Sequence, residues 1–116
     1  MWIMHPEFGF LSIVKKPEDQ DTLTVRSRSR AHLEAFLDSA GNTPGPNDIQ
    51  ENAGTDYAFR AVLPQELVAN MLEEHVLGID YSNFKSESKN RGQPSRWLEA
   101  LGRIWRVHFS FQRDTA

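Results

Sequence analysis

The stretch TLTVRSRSRAHLEAFLDSAG, residues 22–41, changes its period halfway along, and that change constrains the fold more than any other feature of the chain. Over its first half the side chains alternate. Leu23, Val25 and Ser27 fall on one face, and Thr24, Arg26 and Arg28 on the other, the pattern of a half-buried strand. From Ser29 onward Leu33, Phe36, Leu37 and Ala40 recur at helical spacing, with Ser29 suited to cap the helix and Gly41 to stop it. A strand that hands over directly to a helix, each with one apolar face, calls for a sheet with helices laid against it.

The rest of the chain fits this plan. GFLSIVKKP, residues 9–17, mixes aromatic and β-branched residues, is stopped by Pro17, and is followed by the polar turn EDQD, so it predicts the hairpin partner of the 22–28 strand. MWIM adds a short strand that Pro6 keeps short. DYAFRAVLP predicts a further strand, with Tyr57, Phe59, Ala61 and Leu63 facing inward and Asp56, Ala58, Arg60 and Val62 outward. Pro64 then opens a helix whose apolar stripe is Leu67, Met71, Leu72, Val76 and Ile79, with Gln65, Glu66, Glu73 and Glu74 in water. Residues 94–109 predict a last helix with Trp97, Leu98, Leu101, Ile104, Trp105 and His108 on its apolar face, although WRVHFSF alternates enough to read as a strand. Between the first helix and the DYAFR strand, the Gly- and Pro-rich segment 41–55 predicts a flexible surface loop. The sum is an α+β fold over residues 1–116: a small antiparallel sheet with two to three helices on one face, a ferredoxin-like variant among the candidates.

At 116 residues the chain is too short to divide its core between two domains, so one domain is expected. It has no cysteine, which excludes disulfides, thiolate nucleophiles and Cys-based metal sites and accords with a cytoplasmic location. No apolar run approaches the roughly 20 residues of a membrane helix, so a soluble protein is expected. The net charge of −3 opposes generic nucleic-acid binding, but charge is unevenly distributed. Glu34 to Asp56 carries five acids and no Lys or Arg, whereas Arg91 to Arg113 carries five Arg against Glu99 alone.

The segment GIDYSNFKSESKNRG, residues 78–92, holds the most enzyme-like residues. Asp80 with Glu87 and Lys89 has the letters of a metal-dependent nuclease, with Lys85 as an alternative cation, but these residues fall at a helix end and in a polar connection instead of on converging strands. Ser82 and Lys85 spell S-x-x-K without the partner motifs of that hydrolase class and read as turn residues. Within IDYSNFK, Ile79, Tyr81 and Phe84 read as anchors into the core, with Asp80, Asn83 and Lys85 as turn or recognition residues, and SESKNRG as a solvated link. His5, His32, His75 and His108 lie on four different elements, no two at ligand spacing, so no metal site and no cofactor are expected; His32 reads as exposed. Arg26 and Arg28 on one predicted strand and Arg60 on another share the outward face, where their guanidinium groups suit carboxylates or phosphates. Nucleic-acid binding by such a face needs outward aromatic rings, and Tyr57 and Phe59 are expected to point inward. Trp97 and Trp105 are expected to complete the core; a Trp left exposed would mark a partner site.

The elements Gly9-Phe10, Lys16-Pro17, Arg26, Asp56-Tyr57, Arg60 and Asp80-Tyr81-Ser82-Asn83-Phe84-Lys85 give a GF…KKP / DYxFR / IDYxNFK pattern. It resembles a family of small uncharacterised single-domain bacterial proteins, and the likeness spans most of the chain outside 41–55 and the last few residues. The resemblance implies no activity; it groups Arg26, Arg60, Asp80 and Lys85 as positions to test together. The expected function is a non-catalytic macromolecular-interaction protein, chiefly protein-binding, of the inhibitor, immunity, antitoxin or phage and mobile-element accessory kind, with Arg26, Arg28, Arg60, Asp80, Asn83 and Lys85 as its binding residues. The alternatives are the metal-dependent nuclease using Asp80, Glu87 and Lys89, and a nucleic-acid-binding module using Arg26, Arg28 and Arg60.

Overall fold

A computed structural model describes residues 1–41, 49–51 and 56–115. Five strands, β1 (Trp2–His5), β2 (Gly9–Val14), β3 (Thr22–Ser27), β4 (Gln50–Glu51) and β5 (Phe59–Pro64), form one sheet in the order β1-β2-β3-β5-β4, every pair antiparallel. The helices are α1 (Arg30–Asp38), α2 (Gln65–Leu77), α3 (Phe84–Asn90) and α4 (Ser95–Thr115). This is the expected α+β class. Its three-strand opening meander differs from the β-α-β-β-α-β alternation of a ferredoxin-like fold, so that variant is set aside.

The core lies between the sheet and the pair α1 and α2. Leu11, Ile13, Val25, Ala61 and Leu63 from the sheet meet Leu33, Phe36 and Leu37 of α1 and Val68 and Met71 of α2, with Phe8 from the β1–β2 turn packed edge-on to Phe36. Ser29 caps α1 as expected, its Oγ accepting the His32 N–H. The turn between β2 and β3 is held by Asp19, whose carboxylate accepts from the Lys16 N–H and the hydroxyls of Thr22 and Thr24.

Three expectations change. The 41–55 segment is not all loop: Ile49 is buried in the core, and Gln50 and Glu51 pair with Arg60 and Phe59, because a two-residue strand needs too few residues to leave a periodicity. Residues 42–48 and 52–55 lie outside the described residues. The link SESKNRG is mostly helix α3, whose N-cap is Asn83, the side chain accepting from the Ser86 N–H. Finally, α4 runs unbroken to Thr115, so WRVHFSF is helical.

The α3–α4 hairpin stands beside the sheet, joined through the β1–β2 turn. Gln93 donates from Nε2 to the carbonyls of Pro6 and Glu7 and meets His32 Nε2 through its Oε1 at 3.1 Å. Arg91 pairs with Glu7 and, within α3, with Glu87. Trp97 packs edge-on to His32 at 4.8 Å, so His32 is buried, against expectation. Beyond this joint α4 leaves the body. Trp105 is 55% exposed, Val107 68%, Phe109 47% and Phe111 68%. Trp97 is half-buried against His32 and outside the core cluster, so neither Trp completes the core as expected.

Candidate functional site: an arginine and aromatic face on the open side of the sheet

The strand register places the site. Trp2 lies opposite Ser12, Ser12 opposite Arg26, and Arg26 opposite Arg60, so one row crosses four strands on the face away from α1 and α2. Two residues along β3, Arg28 shares that face. Like charges directly opposite on neighbouring strands repel. Arg26 spans to Ser12, donating from Nη2 at 2.7 Å, and its guanidinium lies 4.5 Å from the centre of the Tyr57 ring. Arg28 covers the same ring at 4.1 Å and reaches Asp56 at 3.1 Å. Burial works against the charge of Arg28, while the Asp56 carboxylate favours it strongly enough to raise the pKa above the ordinary value.

Two donors on this face lack acceptors. The Nε atoms of Arg26 and Arg60 are buried and have no hydrogen-bond partner, and neither side chain forms an ion pair with an acid among the described residues. A buried guanidinium donor without an acceptor is costly and is normally satisfied by protein, water or a ligand.

Aromatic rings continue the row. Trp2, exposed, packs edge-on to Phe10 with centroids 5.4 Å apart, and Arg28 lies 5.8 Å from the Phe10 ring. Tyr57 belongs here too, buried as expected but beneath the two guanidinium groups and not in the core cluster: the chain bends at Ala58 and β5 starts at Phe59, so the alternation of the strand does not extend back to Tyr57. The face therefore carries three rings and three guanidinium groups: Trp2 and Phe10 at one end, Tyr57 beneath Arg28 and Arg26, and Arg60 beyond. At its Phe10 and Arg28 end lies a recess of about 290 Å³, also lined by Ser27, His32, Trp97 and Ile104, and the buried Trp97 Nε1 has no hydrogen-bond partner.

Of the predicted binding residues, Arg26, Arg28 and Arg60 converge. Asp80, Asn83 and Lys85 do not join them: they lie on the connection into α3, where Asn83 serves as a cap and Lys85 sits 5.8 Å over the Trp105 ring of α4. Asp80 is exposed and takes part in no hydrogen bond or ion pair among the described residues, so it is not the structural counter-ion of the arginines. Glu87 is occupied by Arg91, Lys89 lies exposed on the last turn of α3, and no group of three or more His, Asp or Glu side chains among the described residues is placed to hold a metal ion. Of the three predicted anchors, Tyr81 and Phe84 are half-buried, while Ile79 is exposed. No helix among the described residues is long and apolar enough to cross a membrane.

His5 and His75, far apart in sequence, do meet, with ring centres 4.6 Å apart. His5 stacks on Phe8 at 4.2 Å and its Nδ1 accepts the Glu7 N–H, while His75 Nε2 contacts Ser39 Oγ at 3.0 Å. Their place at the edge of the core makes them packing groups. Comparison with protein-family models, with curated proteins and with solved structures finds no match for the chain.

Proposed function

We propose that the protein is a non-catalytic binding protein of the cytoplasm whose open sheet face grips an acidic segment of a protein partner. The observation that carries this reading is the cross-strand pair Arg26 and Arg60, held side by side with buried, unpartnered Nε donors. Carboxylates accept from guanidinium groups in bidentate fashion; one carboxylate set between the pair would relieve its repulsion and, as the side chains turn toward it, take up the idle donors. The recess beside Phe10, Arg28 and Trp97 suits an apolar side chain of the same partner, the arrangement of an anchor flanked by charge. Membership of the small bacterial family suggested by the GF…KKP / DYxFR / IDYxNFK pattern, and an inhibitor, immunity or mobile-element role, belong to this proposal.

A second reading is favoured by the rings of Trp2 and Phe10 beside the arginines, since single-stranded nucleic acid is held by stacked bases and paired phosphates. Fluorescence anisotropy separates the two. Labelled polyglutamate and a labelled thymidine oligonucleotide are titrated against the wild type and an Arg26→Ala, Arg60→Ala variant. The acidic peptide should bind in a salt-sensitive manner and lose at least about tenfold in affinity in the variant. Tighter binding of the oligonucleotide, with the same loss, selects the second reading; binding of neither, or an unaffected variant, refutes both.

A further inference from the structure

We propose that the distal half of α4 seats on a second copy of this chain, against the apolar end of α2. In α4 the side chains of Trp105 and Phe109 stack at 5.1 Å and, with Val107 and Phe111 on the other border of a broad apolar arc, stay largely exposed, Lys85 lying 5.8 Å from the Trp105 ring. Monomers seldom leave such a face bare. Its flanks are cationic: from residue 103 to the end of the helix Arg103, Arg106 and Arg113 stand against Asp114 alone. Pairing two α4 helices would set arginine against arginine.

The complementary surface lies elsewhere on the same chain. At the end of α2, Val76, Leu77 and Ile79 are 63%, 77% and 53% exposed, next to a recess of about 210 Å³ lined by Ile3, Leu72 and Tyr81 among others. Glu73 and Glu74, both exposed, stand on that helix immediately before the patch. Ring-rich apolar helix with arginine flanks on one side, apolar recess with glutamate flanks on the other: each copy carries both halves of the contact. The exposed apolar side chains of the two patches offer on the order of 800 Å² per chain, the share of a standard-size interface. Reciprocal exchange closes the pair as a two-fold dimer.

Light scattering behind size exclusion, across a micromolar concentration series, tests this. The wild type should be dimeric, and Trp105→Glu and Ile79→Glu should each be monomeric with unchanged circular dichroism. An equimolar mixture of those two variants should re-associate, because an intact α4 of one copy still meets an intact α2 end of the other. Glu73→Arg with Glu74→Arg should weaken the dimer at least about tenfold, and adding Arg103→Glu with Arg106→Glu should restore it. A monomeric wild type overturns the proposal, including one that instead binds anionic phosphatidylserine vesicles. So does a dimer that Trp105→Glu disrupts and Ile79→Glu leaves intact.

Discussion

Gly9 shows how one residue can fix the placement of three elements. Its φ is +65°, and a Cβ added there would lie 2.2 Å from the His32 ring. The missing side chain lets His32 tuck against the β1–β2 turn, where it meets Gln93 and Trp97 of the α3–α4 hairpin. Gly9→Ala adds both left-handed strain and an overlap with a buried ring, so it should cost at least about 2 kcal/mol, measured by urea unfolding. A loss under about 0.5 kcal/mol would show that His32 moves away freely. Three histidines set the pH response. Burial first, then the charges of His75 and Arg91, push the pKa of His5 down to about 4. Burial lowers His32 against the pull of Gln93, and lowers His75 against Glu7 and Glu74. The unfolded chain, with histidines near the ordinary 6.5, therefore takes up protons first. This stabilisation is complete above that value and is lost as the pH falls toward 4. The urea midpoint should fall on acidification through this window, and His5→Phe should flatten the slope; a midpoint that rises would contradict the burial of these rings. Asp19 acts in the same direction at lower pH. The Lys16 N–H, opposed by partial desolvation and aided by Thr22 and Thr24, holds its carboxyl below the usual range.

Among the elements, β3 and α1 were legible because each carries its own period and the cap Ser29 stands between them. Helix α3 was not, because its seven residues FKSESKN have no apolar stripe and its one buried side chain is Ser88. A short helix of that composition rests on its ends. Asn83→Ala should therefore cost about 1 kcal/mol, with loss of amide protection concentrated in residues 84–90 on hydrogen exchange. Equal protection in the variant would mean that docking against α4, not the cap, holds α3. The apolar stripe of α2 was legible over Leu67, Met71 and Leu72 but failed at Val76 and Ile79, which periodicity assigns to the core and the structure leaves exposed. The same failure recurs in α4 beyond Leu101. A hydrophobic period records that a face is to be covered, and it does not record whether the cover comes from the same chain.

At the scale of the whole molecule, the open face of the sheet gathers three arginines that the alternation of β3 and β5 already assigned to one side. What the sequence hid was the company they keep. Tyr57 escaped because a bend at Ala58 interrupts the strand's period, and Trp2 and Phe10 because their row is set by a pairing register that no single strand encodes. Asp80 and Lys85 do not share the arginines' company for a related reason: the chain carries Lys85 to the Trp105 ring of α4 and leaves Asp80 exposed. Arg60→Thr should leave stability unchanged or raise it by a few tenths of a kcal/mol, about the size of a cross-strand like-charge repulsion relieved, which separates a binding role from a structural one. The most direct test of the face as an anion-binding surface follows the guanidinium Nε–H resonances of the wild type by NMR while polyglutamate is added at low ionic strength. The Arg26 and Arg60 signals should shift together, saturably, with Arg113 unmoved and the Arg26 shift lost in Arg60→Thr. If Arg26 and Arg60 stay in place while signals elsewhere move, or if neither polyglutamate nor an oligonucleotide moves them, the sheet face is not where this protein binds its partner.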